Sequence, residues 1–191
     1  LNEHQWREMW LAAAGHGPPW PLHPAELSAP QLWLHAVHEL ETMAYLSNAA
    51  WEVLESNDAF TRMFPGKQVP PNVMRWMLLD HEAREKVLLD WEDRWCPALI
   101  TQLIAARATH PHNPVLRQLE ADVRADTVAG PIYRGDAQAF IQPDDELPLL
   151  HATLGHGWAR LASAEPIDSP GARITLVDFR AASEPPMPPH P

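Results

Sequence analysis

Cysteine occurs once in these 191 residues, at Cys96, which excludes an internal disulfide framework and any zinc site built on several thiolates. Positive charge is scarce as well: 14 Lys and Arg stand against 25 Asp and Glu, a formal net charge of -11. A chain of that sign repels a phosphate backbone, which argues against nucleic-acid binding by these residues themselves. No run of about eighteen apolar residues offers a membrane span, and the opening LNEHQWREMW lacks the apolar core of a signal peptide. Nor is there a G-x-S-x-G, a phosphate-binding loop or a dinucleotide fingerprint, and Cys96 sits in no activating motif, so catalysis has little to stand on. Together these absences fit a soluble, cytoplasmic, non-enzymatic chain.

What is present is tryptophan, 9 residues against 2 Tyr and 4 Phe, a bias toward large flat apolar surfaces. The length suits one domain with a core of its own. Residues 2–14, NEHQWREMWLAAA, place Trp6, Met9, Trp10 and Ala13 on one helical face, and GHGPPWPLHP then forbids a helix. Residues 1–30 therefore read as a helix and a Pro-rich linker. The chain opens at Leu1 rather than Met, and an upstream domain is expected before it. Pro30 can start the next helix, with Leu32, Leu34, Val37 and Leu40 following.

The segments MAYLS and WEVLES, separated by Asn48, Ala49 and Ala50, read as a β-hairpin. Asn57 then caps a short helix that carries Phe60, Met63 and Phe64. From Pro71 to Thr127 the spacing is helical. Asn72 and Asp80 are caps, and Val87, Leu88, Trp91, Trp95 and Leu99 recur on one face, with Pro97 kinking or restarting the helix. Asn113 and Pro114 open another helix, with Leu116, Leu119 and Val123 inward and Arg117, Glu120 and Arg124 outward.

The last third, QAFIQ, LPLLHATL, GWARLASAE and ARITLVDFRAA, reads as strands joined by turns, and residues 183–191 as a Pro-rich disordered tail. Two early strands are not stable alone, so the economical fold pairs them with the later three. The result is an α+β, PAS-like antiparallel sheet of about five strands with several helices packed on it, over residues 31–182. Which sheet face is buried stays open, because ARITLVDFRAA is apolar on both alternating sets.

The segments WEVLESNDAF, PPNVMRWMLLDHEAREKVLLDWEDRW, HPHNPVLRQLEADV and HATLGHGWARL, in this order and spacing, resemble the ligand-binding domain of MmyB-like transcription regulators of actinobacteria and related bacteria. The resemblance runs from Trp20 to Ala182 and is most specific at Asn72 with Arg75, at Asp90-Trp91-Glu92 and at His151 to Gly155. It implies a PAS-like sensor behind an N-terminal helix-turn-helix of the XRE type, with some members binding long-chain fatty acid. DNA would then be reached only through that missing domain, and a homodimer is expected from paired half-sites. One departure is Ala152, where many members place Pro after the histidine.

Arg75, in an apolar segment, could meet a ligand carboxylate in a fork, or else pair with Asp90, Glu92 or another local carboxylate. Trp51, Trp76, Trp91, Trp95 and Trp158 could line an acyl-chain cavity or be plain core. His151 joins Arg75 as a possible anchor. Asn57 and Asn72 are explained by capping. His35, His38 and Glu39, even with His110 and His112, lack a compelling set of four ligands, so no metal is expected. Cys96-Pro97 could present a thiolate to haem, but a buried cysteine acting as a small hydrophobe is the better reading. No cofactor is expected beyond a possible bound fatty acid. The function expected is sensing of a small apolar or amphipathic ligand in a pocket between helices and sheet; the alternative is a protein-interaction or dimerisation module.

Overall fold

In a computed structural model of the chain, residues 31–135, 145–166, 169 and 171–182 are described. The expected N-terminal helix and linker, the QAFIQ strand and the C-terminal tail lie outside them.

Strand β1, Met43–Asn48, is buried at every position, so both of its faces must be covered. Met43 and Tyr45 enter the main core, whereas Ala44 and Leu46 belong to a second cluster. Helix α1, Gln31–His38, supplies that second cover with Val37, backed by Trp33 and Leu34. Strand β5, Ala172–Ala181, is split in the same way, with Val177 inward and Ala172, Ile174 and Leu176 toward α1. This resolves the two apolar sets of ARITLVDFRAA: the sheet is sandwiched where β1 and β5 pair.

With β2, Val53–Ser56, β3, Leu147–His151, and β4, Gly155–Ala164, these strands form one five-stranded sheet in the order β2-β1-β5-β4-β3. Every pairing is antiparallel. The early hairpin thus joins the later meander through β5, giving the α+β, PAS-like arrangement. Trp51, expected in the second strand, lies instead in the turn, at φ 61°. The Asn48 side chain organises this turn by accepting from the N–H groups of Ala50 and Glu52 at 2.9 and 3.0 Å.

Asn57 caps α2, Asp58–Thr61, by accepting from the Phe60 N–H at 2.9 Å. Its role extends beyond the cap: the same oxygen accepts from the Ala44 N–H, and its amide donates to the Leu40 and Thr42 carbonyls. Asn72 caps α3, Val73–Leu79, through the Arg75 N–H and ties it to the hairpin by donating to the Ala50 carbonyl at 2.8 Å. Asn113 caps α5, Pro114–Ala125, with Pro114 in its first turn as expected.

The helix expected to run from Asp80 toward Leu99 is broken earlier than Pro97. Ala83–Val87 and Trp91–Trp95 wind as wide π turns. Between them Leu88 bridges Leu149 of β3, and Asp90 adopts φ 52°. The chain gives up helical hydrogen bonds there because β3 is an edge strand, and the Leu89 N–H finds the Pro148 carbonyl at 3.2 Å. Pro97 does restart a helix, in the first turn of α4, Cys96–Thr109. Leu116, Leu119 and Val123 are buried as expected, but Glu120 is not a solvated outward residue. It receives Arg107 at 2.7 Å and the Tyr133 hydroxyl at 2.6 Å, locking α4, α5 and α6, Ala129–Arg134, together.

Candidate functional site

Capping by Asn72 fixes where α3 begins, and capping by Asn113 fixes α5 beside it. Between these helices lies a groove of about 320 Å³ lined by Asn72, Arg75, Pro114, Val115, Gln118 and Leu119. Its apolar wall comes from Pro114, Val115 and Leu119; its polar rim is Arg75. The Arg75 guanidinium reaches Asp122 at 2.7 Å with half of its side chain in solvent. Its partner is therefore a carboxylate on α5, not Asp90 or Glu92. The hydrogen bond from Arg75, and next that from Gln118, holds the Asp122 carboxyl below the usual range.

The tryptophans proposed as cavity lining do not converge on this groove. Trp51 adjoins it: its carbonyl accepts from the Val73 N–H at 3.1 Å, next to the groove residue Asn72. Its ring carries the Arg173 guanidinium, 5.1 Å from the centroid. Trp76 is half-buried and meets Phe64 edge-on at 5.1 Å. Trp91 and Trp95 are core residues whose indole N–H groups are satisfied by the Met77 carbonyl at 2.7 Å and the Pro148 carbonyl at 3.1 Å. Trp158, on β4, alternates with the buried Gly157 and Ala159 and so projects from the other face of the sheet, 37% exposed.

His151 is buried at the end of β3 and serves the turn that follows. Its Nδ1 accepts from the N–H groups of Thr153 and Leu154 at 3.1 and 3.2 Å, which requires that nitrogen to be unprotonated. Burial, and then the charge of Arg62, keeps the imidazole below its usual pKa. The neighbouring Ala152 donates its N–H to the Met63 carbonyl at 3.2 Å, a bond that proline at this position could not make. Gly155 completes the turn at φ 78°, where a side chain would be strained.

Sequence reasoning passed over Asp122, which is helically spaced from Gln118, and also Arg84. Arg84 donates to both oxygens of Asp126 at 3.1 Å, contacts the Leu78 carbonyl and lies 4.5 Å over the Trp91 ring. It fastens the end of α3 to the start of α6. Cys96 is buried, and burial pushes its thiol up to about 12, the opposite of a poised thiolate. His38 faces Glu55 at 3.4 Å.

The family model for the MmyB-like transcription regulator ligand binding domain matches residues 30–184. The chain belongs to this family. The match covers the whole five-stranded sheet and both groove helices, so the MmyB-like domain and the described fold coincide. No curated protein matches the chain. No helix among the described residues is long and apolar enough to cross a membrane. As an MmyB-like ligand binding domain, the chain has its sensing role set by family, while its ligand must be argued from its own residues.

Proposed function

We propose that this MmyB-like domain binds a small amphipathic molecule, a fatty acid, and signals its presence to a DNA-binding helix-turn-helix domain in a cytoplasmic homodimer. The observation that carries this reading is the α3–α5 groove, apolar along one wall and edged by Arg75 and Asn72. Its volume of about 320 Å³ lies at the lower end of the roughly 300–1,000 Å³ usual for ligand pockets. That size favours a short acyl chain over a long one. Regulation requires the ligand to bind one arrangement of the dimer better than the other, since equal affinity shifts nothing.

Native mass spectrometry of the purified protein, followed by denaturing extraction, tests the proposal. A stoichiometric fatty acid, or uptake of added decanoate, is the expected result. A mass that stays that of the bare chain after the challenge removes fatty acid as the ligand. A second reading, a protein-interaction surface, is favoured by Trp158 and Leu154, which are 37% and 59% exposed around the β3–β4 turn.

A further inference from the structure

Among the described residues, arginines are matched to carboxylates wherever they are half-buried, with one exception. Arg84 pairs with Asp126, Arg107 with Glu120, Arg160 with Asp178 and Arg180 with Glu146. Arg173 is equally half-buried, yet among the described residues it has no carboxylate partner and its contact is the face of Trp51. A guanidinium stacked on a ring still presents its N–H groups in its own plane, the geometry that receives a carboxylate in a fork.

The residue opposite Arg173 in the β1–β5 register is Ser47. Paired residues share a sheet face, and this is the inner one, since Tyr45 and Thr175 are the next pair on the same face, two positions along, and Tyr45 is in the main core. Ser47 is fully buried and its hydroxyl has no hydrogen-bond partner among the described residues. A buried donor in that state calls for an explanation. The next hydroxyl on that face of β5 needs none, because Thr175 and Ser163 meet at 2.9 Å. Glu165, which shares the electrostatic surroundings of His110 with Arg173, accepts from the Gly171 N–H at 3.1 Å.

We infer that Arg173, with the Ser47 hydroxyl across the strand pair and the Trp51 ring under the guanidinium, binds the carboxylate of an amphipathic ligand. One carboxylate accepts from both side chains, completing Ser47 and neutralising Arg173. Arg75 is the poorer anchor, because a ligand carboxylate there must displace Asp122 at 2.7 Å. Asn72, which lines the α3–α5 groove, donates to the carbonyl of Ala50, the residue before Trp51. The inference rests on the small-ligand reading only for the apolar part of the molecule.

Two titrations of the full chain, followed by ¹H–¹⁵N NMR, separate the anion site from the acyl reading. Acetate should shift the Trp51 indole resonance, assigned by Trp51→Phe, and the Arg173 side-chain N–H. Arg173→Gln should abolish the response and Arg75→Gln should leave it. Decanoate should bind at least about tenfold more tightly than decanol, a charge-assisted hydrogen bond's worth, and Arg173→Gln should erase that preference while leaving decanol unchanged. Wild-type protein whose Trp51 and Arg173 signals ignore acetate overturns the site without recourse to any variant. A decanoate preference that survives in Arg173→Gln and disappears in Arg75→Gln overturns it too. Acetate binding alone, with neither decanoate nor decanol bound, supports the anion site and overturns the acyl reading instead.

Discussion

Replacing Asn57 with alanine should cost far more than the loss of a helix cap. The side chain is 2% exposed and makes bonds in three directions. Its oxygen caps α2 through the Phe60 N–H at 2.9 Å and also accepts from the Ala44 N–H at 3.1 Å. Its amide donates to Leu40 and Thr42 carbonyls at 2.9 and 2.8 Å. Loss of the cap alone costs about 1 kcal/mol. Ala44 is fully buried in β1, so its N–H would be left unsatisfied at a further cost of about 1–3 kcal/mol. Leu40 and Thr42 belong to exposed residues, and their carbonyls can turn to water at little cost. The sum is about 2–4 kcal/mol, or a fall in Tm of roughly 4–16 °C for a domain of this size. Urea denaturation followed by tryptophan fluorescence reads it as a lower midpoint at constant m. Asn57→Asp keeps the acceptor but sets a carboxylate against two carbonyls, and should fall between wild type and Asn57→Ala. A loss below about 0.5 kcal/mol for Asn57→Ala at unchanged m would refute the reasoning, since water would then replace all four bonds.

Arg84→Met breaks a largely buried ion pair and should destabilise by about 3 kcal/mol or more; a double-mutant cycle with Asp126→Asn should show coupling of about 1 kcal/mol or above in denaturation midpoints. Burial opposes ionisation of Asp126, but the N–H groups of Ala129 and Val128, and then Arg84, outweigh it and lower its pKa. The stability tied to this carboxylate is therefore complete above the ordinary value of 3.8 and is lost as pH falls through the lower folded value; a pH series on wild type and Asp126→Asn checks the sign. His151 also has a lowered pKa, but as a base: as pH falls below the ordinary 6.5 the unfolded chain takes up the proton first, so its contribution declines from 6.5 down to the folded value and then levels off. Imidazole ¹⁵N shifts should show the Nε2–H tautomer near neutrality, and an Nδ1–H tautomer would contradict the turn geometry. Cys96, with its thiol at about 12, should resist alkylation at pH 8 in the native protein and react at once in urea.

Asn57, Asn72, Asn113 with Pro114, and the restart at Pro97 were legible because a cap is a contract between residues two to four apart, written wholly in local sequence. The five strands and their antiparallel union were legible too, since alternation and turn residues are local and few topologies can shelter a two-stranded hairpin. Of the candidate site, the sequence showed Arg75 and Asn72 standing close together at a helix start, but not what would face them.

Tertiary structure alone decided the rest. Whether Arg75 meets a ligand or Asp122 depends on the angle at which α5 lies beside α3, and no spacing within either helix encodes it. Leu88 left its helix because an edge strand offered it a bridge. Trp158 lies on the sheet face opposite the main core, and Trp91 and Trp95 face inward, although by sequence all are equivalent apolar positions. The sequence by itself determined the capped helix starts at Asn57, Asn72 and Asn113, the strands of the sheet and the resemblance to a family of ligand-binding domains. Partners distant in the chain, Arg75 with Asp122 and Arg84 with Asp126, and the register that sets Arg173 opposite Ser47, were settled only when the fold brought them together. The physical reason is that caps, turns and helices satisfy their backbone groups within a few residues, whereas the cost of burying a charge is met by whatever the fold places next to it.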